Sequence, residues 1–197
     1  TPVELTSDAT TRNRLWTIRK GLYASVAGNR PDGSAALLED IAVPVEKLAD
    51  TCKQLTALFQ KHHYEASVIF GHAGDGNIHF MLNEQFDEAR SLRRYRRFTR
   101  DLVRLVLAAG GTLKAEHGTG RVMAPFVEDQ FGGELYEIMR EIKSLFDPDG
   151  MLNPGVIISN DPDTHTRNLK HPVSVEPEVD RCVECGYCEP VCPSRDL

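Results

Sequence analysis

Residues 68–82 read VIFGHAGDGNIHFML, and the fold turns on this stretch. Val68 to Gly71 and Asn77 to Leu82 are short runs rich in β-branched, aromatic and aliphatic residues, with Gly71, Gly74 and Gly76 where the chain has to turn. Two such runs joined by a glycine-rich connection predict a hairpin. On its amino-terminal side, Ala35 to Val43 mixes acidic and apolar residues as a strand would, and Pro44 stands where a helix can start. Val45 to His62 then places Val45, Leu48, Leu55, Leu58 and Phe59 along one helical stripe, and Cys52 at helical spacing with them reads as a packing residue. Further upstream, Thr6 to Tyr23 carries Leu15, Ile18 and Leu22 at helical spacing before Gly28, Pro31 and Gly33 break the pattern.

Beyond the hairpin, Asp87 to Ala109 predicts a long helix, basic at its start through Arg90, Arg93, Arg94, Arg96, Arg97 and Arg100 and apolar later through Leu102, Val106 and Leu107. The basic run reads as a solvated face in preference to a docking surface. Gly110 and Gly111 end that helix, Thr112 to Lys114 suits a strand, and Gly133 to Phe146 gives another helix stopped by Asp147-Pro148-Asp149-Gly150. The order β-α-β-β-α-β predicts an α+β fold, a ferredoxin-like antiparallel sheet with helices on one face. From Asn160 to Asp180 the periodicity disappears among Pro162, Pro172 and Pro177, as in a linker. The expected organisation is a domain over residues 1–159, a linker over 160–179 and a small cysteine-rich module over 180–197.

Composition narrows the classes of function. A chain of 197 residues with 41% hydrophobic content can bury one ordinary core beside a small appended module. Its 23 Lys and Arg against 29 Asp and Glu give a net charge of −6, which argues against nucleic acid as a partner. No run of 18 apolar residues and no basic-then-apolar leader occurs, so neither a spanning helix nor export is indicated. The chain opens on Thr1 in place of Met and stops five residues after its last cysteine, so both ends read as cuts.

Three constellations carry chemistry. His72 and His79 flank the glycine-rich turn, and if the strands pair their imidazoles stand together at one end of a sheet. With Glu116 as a third ligand they could hold a divalent cation, and the alternative is a tight hairpin whose histidines cap backbone groups. Glu116-His117, set between short residues and Gly118 and Gly120, offers a general base or an ordinary turn. The third constellation, Cys182-x-x-Cys185-x-x-Cys188-x-x-x-Cys192-Pro193, is more specific. Cysteines two residues apart pair poorly with one another but converge well on a metal, and this spacing is that of the bacterial ferredoxin run for [4Fe–4S] clusters, with zinc as the alternative. A reducing, cytoplasmic compartment follows. One run supplies half of a two-cluster set, so a partner run is expected beyond Leu197 or in another chain.

Taken in order, GHAGDGNIHF at Gly71–Phe80, AEHGTGR at Ala115–Arg121, FDPDGMLNPGVI at Phe146–Ile157 and the cysteine run resemble the carboxyl-terminal half of FAD-linked D-lactate dehydrogenases that carry a ferredoxin module. The domain is similar to that of glycolate oxidase subunits and D-2-hydroxyglutarate dehydrogenase. The resemblance implies an FAD-binding domain of the vanillyl-alcohol-oxidase type ahead of Thr1, a D-2-hydroxy acid as substrate, and an external acceptor, a quinone or cytochrome, reached through the clusters. Peripheral membrane association and a homo-oligomer are compatible with it. It further implies that His72, His79 and Glu116 ligate a metal, zinc or manganese, that His117 is the base, that Arg19 clamps the substrate carboxylate, and that Asn153 approaches the flavin. The hydroxyglutarate branch places Lys and Asn where this chain has Leu38 and Met81, which favours a small monocarboxylate such as D-lactate. Two other classes compete. One is an electron-transfer or scaffold subunit, and the other is a zinc-dependent hydrolase, for which no nucleophile motif is present.

Overall fold

A computed structural model describes residues 6–183, 186 and 188–191 of the chain. Helix α1 (Ala9–Gly28) opens at Asp8, whose carboxylate accepts the Thr11 N–H at 2.6 Å as an N-cap should. Then follow β1 (Ala35–Ala42), α2 (Leu48–Lys61) behind a 3-10 turn at Val45–Lys47, β2 (Val68–His72), β3 (Asn77–Glu84) and α3 (Ala89–Ala108). The later elements are short except one: α4 (Val127–Phe131), α5 (Gly133–Phe146) and α6 (Pro177–Asp180). Among the described residues no helix is long and apolar enough to cross a membrane.

The three strands form one antiparallel sheet in the order β1-β3-β2, so the expected hairpin is present and β3 is central. Side chains alternate across it. Ile41, Ile78, Phe80 and Leu82 face one side and join Leu55 and Phe59 of α2 with Phe98, Leu102 and Val106 of α3 in the main core. Cys52 packs against that core from α2. The opposite face carries Leu38 across from Met81, Asp40 across from His79, and Phe70 and His72 on β2.

The fold is α+β, with α2 and α3 on one face of the sheet. The fourth strand that a ferredoxin-like sheet would add at Thr112–Lys114 is reduced to a single antiparallel bridge between Ala42 and Thr112. Its two hydrogen bonds measure 3.1 and 2.8 Å. Pairing stops there because the chain turns away: Lys114 forms a 2.7 Å ion pair with Glu39, and the next three backbone N–H groups go to a side chain. Gly111 makes the bridge possible, since a Cβ there would lie 2.4 Å from the Ala42 carbonyl oxygen.

The basic run on α3 divides. Arg94 grips the buried Glu84 through two hydrogen bonds, of 2.8 and 2.5 Å, and Glu84 also accepts the Tyr64 hydroxyl. Arg96 pairs with Asp163 at 3.1 Å. Arg90, Arg93, Arg97 and Arg100 are exposed and make no hydrogen bond or ion pair among the described residues. The segment read as a linker is tied down at two places. Thr164 and His165 are buried beside Phe126 and Tyr95, and Arg30 donates to the carbonyls of Asp180 and Cys182 at 2.9 and 3.0 Å.

His165 is 2% exposed, and neither ring nitrogen has a hydrogen-bond partner among the described residues. Burial, helped by Arg96 and Arg100 and opposed by Asp163 and Asp161, pushes its pKa down to about 4. The unfolded chain takes up this proton near pH 6.5, whereas the folded chain resists until about pH 4, so the contribution is complete above about 6.5 and is lost on acidification. We expect wild type to lose about 2–3 kcal/mol more than His165→Phe between those pH values, measured by urea denaturation. Parallel pH profiles for the two proteins would contradict this.

Candidate functional site

The polar side chains of the site come from four places: the hairpin, strand β1, the loop after the Ala42–Thr112 bridge, and helix α1, which supplies Arg19. Hairpin geometry comes first. The turn Ala73–Asp75 closes on Gly76, which is left-handed at φ 66° and lies so close to β1 that a Cβ would meet the Val43 carbonyl oxygen at 1.9 Å. Only glycine fits that approach. The turn leaves His72 and His79 on the same face of the sheet, their ring centroids 5.4 Å apart and nearly perpendicular.

Asp40 brings the loop to them. Its carboxylate is 0% exposed, and Oδ2 accepts the backbone N–H groups of Ala115, Glu116 and His117 at 3.0, 2.6 and 2.9 Å. Oδ1 accepts the Asn77 side-chain amide at 2.6 Å. With its backbone fixed in this way, Glu116 reaches over β3 and its Oε1 lies 2.6 Å from His79 Nε2 and 3.4 Å from His72 Nε2. His117 stacks on His79, with centroids 4.9 Å apart and planes 13° from parallel. Arg19 on α1 comes within 3.4 Å of the His72 ring and lies over Trp16. A cavity of about 560 Å³ opens beside these groups, bounded by Arg19, Leu22, Leu38, Phe70, His79 and His117.

Electrostatics fit the geometry. Burial would raise the pKa of Asp40, but the His117 and Glu116 N–H groups, the Asn77 amide and the nearby His117 ring outweigh it and hold the carboxylate below its ordinary range. Burial, with His117 adding to it, pushes His79 below the usual imidazole range despite Asp40 and Glu116. A neutral His79 keeps a nitrogen lone pair for a ligand near neutral pH.

His72, His79 and Glu116 therefore come together, and their candidate ligand atoms all lie within 4.8 Å of one another. A second cluster by the same measure is Asp40, His79 and His117. Its carboxylate is already committed to the three backbone donors and Asn77, so the first cluster is the one with atoms to spare for a cation. The His79 Nδ1 atom is buried and has no hydrogen bond among the described residues. Asn153, by contrast, sits in an exposed turn with φ 44°. The backbone near it is tied to the loop after His117 by an Ile157 N–H donated to the Gly120 carbonyl at 3.0 Å. Cys182 and Cys188 are exposed and free, while Cys185 and Cys192 lie outside the described residues. Sequence reasoning missed Asp40 and Asn77. The one available signal was an aspartate in mid-strand, where it is disfavoured unless it has partners.

Three imidazoles, two carboxylates and a guanidinium thus gather beside one cavity. The chain belongs to the family of FAD linked oxidases, C-terminal domain, whose model matches residues 1–157. Over 144 residues it is 31% identical to glycolate oxidase subunit GlcD of Bacillus subtilis, covering 73% of this chain and 30% of that protein. It is 36% identical over 121 residues to a D-lactate dehydrogenase of Archaeoglobus fulgidus, covering 60% and 26%. With the D-2-hydroxyglutarate dehydrogenase of Haemophilus influenzae it shares 31% identity over 156 residues, 78% of this chain and 15% of the relative. The chain thus spans less than a third of the length of these relatives.

The close approach at Gly76 yields a test. Gly76→Ala combines an unfavourable left-handed φ with a backbone collision, and it should cost at least about 2 kcal/mol in chemical denaturation. A loss below about 0.5 kcal/mol would show that the hairpin and β1 are not this close.

Proposed function

We propose that this chain is the substrate-side part of a flavoprotein that oxidises a D-2-hydroxy acid, D-lactate in the first place, to the 2-oxo acid. The observation that carries the reading is the convergence of His72, His79 and Glu116, with His117 stacked alongside and Arg19 at the rim, in a member of an FAD-linked family. Relatives named D-lactate dehydrogenase, glycolate oxidase subunit and D-2-hydroxyglutarate dehydrogenase all bear names of 2-hydroxy-acid chemistry.

The division of labour follows from the chemistry of each group. Arg19 binds the substrate carboxylate, for which its planar fork is suited. His72, His79 and Glu116 would hold a divalent cation, and an N, N, O donor set with His79 neutral suits zinc or manganese. Bound there, such an ion supplies a Lewis acid that lowers the pKa of the 2-hydroxyl. His117 takes the hydroxyl proton, and its backbone N–H bond to Asp40 holds it facing the cavity. FAD supplies the hydride acceptor, and we place its binding in sequence outside these residues. The exposed apolar stripe Leu135, Ile138, Ile142, Leu145 and Phe146 on α5 is a surface such a domain would cover.

Leu38 and Met81 stand directly across from each other, one pair beyond Asp40 and His79 on the same face. A second carboxylate on the substrate would find no polar partner there, which supports a monocarboxylate over 2-hydroxyglutarate. Cys182, Cys185, Cys188 and Cys192 are assigned to iron–sulfur clusters, which pass electrons singly to an external acceptor, a quinone or cytochrome.

In the full-length enzyme, His117→Asn should reduce kcat with D-lactate by at least about 100-fold while metal content stays unchanged. His79→Ala should remove both activity and metal. Turnover of His117→Asn near wild type would refute the assignment of the base, and full metal occupancy in His79→Ala would refute the ligand set. The 197-residue chain alone should show no D-lactate oxidation with an artificial acceptor, and measurable turnover would contradict placement of the flavin elsewhere.

A further inference from the structure

Between His79 and the loop that carries Glu116 and His117 lies a carboxylate that serves both. Asp40 Oδ2 is filled by three backbone donors. Oδ1 accepts from Asn77 and stands 3.5 Å from His79 Nδ1, a buried nitrogen with no hydrogen bond among the described residues. On the other side of the same ring, Nε2 lies 2.6 Å from Glu116. An imidazole that ligates through Nε2 must carry its proton on Nδ1, and that proton then needs an acceptor. The carboxylate of Asp40 faces it.

We propose that Asp40 is a positioning residue with two separable effects. Its Oδ1 holds His79 in the Nδ1–H tautomer and so frees Nε2 for a cation. Its Oδ2 clamps residues 115–117 so that Glu116 supplies the third ligand and His117 stays on the cavity side. The proposal rests on the reading of His72, His79 and Glu116 as a cation site. It also accounts for a fully buried carboxylate in mid-strand, which would be costly without partners. A neutral imidazole carries a single N–H, so with that proton held on Nδ1 facing Asp40 the Nε2 atom offers its lone pair, and no proton would have to leave the ring for a cation to be held there.

The substitution Asp40→Asn separates the effects. A carboxamide has one oxygen where the carboxylate has two, and three converging N–H groups draw that oxygen toward the loop. The NH2 group then points at His79 Nδ1 and donates to it, which selects the Nε2–H tautomer that cannot ligate. Alanine removes both effects. The test uses the 197-residue chain with Cys182, Cys185, Cys188 and Cys192 replaced by serine, so that thiolates do not compete for the ion. Zn2+ affinity is measured by competition with a chromophoric chelator, the His79 tautomer by ring 15N shifts, and the loop by amide hydrogen exchange. Asp40→Asn should weaken Zn2+ binding by about 10- to 100-fold and move His79 toward the Nε2–H form, with exchange at 115–117 close to that of the parent chain. Asp40→Ala should show weakened binding and at least about tenfold faster exchange at those three amides.

Parent-level Zn2+ affinity together with an unchanged His79 tautomer in Asp40→Asn would overturn the first effect. Unchanged exchange in Asp40→Ala would overturn the second. Failure of the parent chain itself to bind Zn2+ would overturn the cation-site reading and the tautomer role with it, whereas loss of amide protection in Asp40→Ala would still uphold the clamp.

Discussion

Three backbone N–H groups, from Ala115, Glu116 and His117, converge on one oxygen of Asp40, and that convergence brings the loop half of the site to the strand half. Hydrogen bonds to a charged acceptor contribute about 1.5–3 kcal/mol each, and their loss would strand buried donors as well. Other ties flank these three residues: Gln130 accepts the Leu113 N–H and donates to the Thr112 hydroxyl, each at 2.9 Å, and the Gly120 carbonyl accepts the Ile157 N–H at 3.0 Å. Upstream the loop also has the single bridge at Thr112 and the Lys114–Glu39 ion pair, and both of these partners lie on β1 beside Asp40. One short strand therefore anchors the loop through consecutive residues, Glu39 by its side chain and Asp40 by its side chain, which point to opposite faces of the sheet.

The division between the two faces explains how a polar site survives in a small domain. The core side is closed by α2 and α3 over Ile41, Ile78, Phe80 and Leu82, and it supplies the packing that keeps β3 straight and central. The other face is free to carry a buried carboxylate and three imidazoles, because the strands beneath it are already fixed from behind. Rigid elements supply His72 and His79, and a clamped loop supplies Glu116 and His117. Preorganisation of this kind is what a site needs when its groups must act within a few tenths of an ångström.

Much of this was legible in the sequence, and the omissions share one cause. The hairpin, the helix at Gly133–Phe146 and the packing role of Cys52 rest on local periodicity and turn chemistry, which a sequence displays directly. His72, His79 and Glu116 were legible as residue types at the right places, although only the register of β3 with β2 shows that the two rings face the same way. Asp40 was not legible, because its partners lie 37 and 75 to 77 residues away and no periodicity reports such a contact. The fourth strand was overestimated for the same reason: β-propensity at Thr112–Lys114 is real, but Asp40 captures the N–H groups that would have continued the ladder. The segment after Asn160 lacks periodicity and is nonetheless held by Arg30 and by the buried His165, both contacts of long range.

The central claim is that two imidazoles from one hairpin and a carboxylate from a distant loop hold one ion. X-ray absorption fine structure at the zinc edge addresses it directly, on the chain loaded with one equivalent of Zn2+ and with Cys182, Cys185, Cys188 and Cys192 replaced by serine. The account predicts two imidazole nitrogens at about 2.0–2.1 Å, with the multiple-scattering pattern of intact rings, completed by oxygen. A shell of oxygen alone, without imidazole scattering, would contradict it.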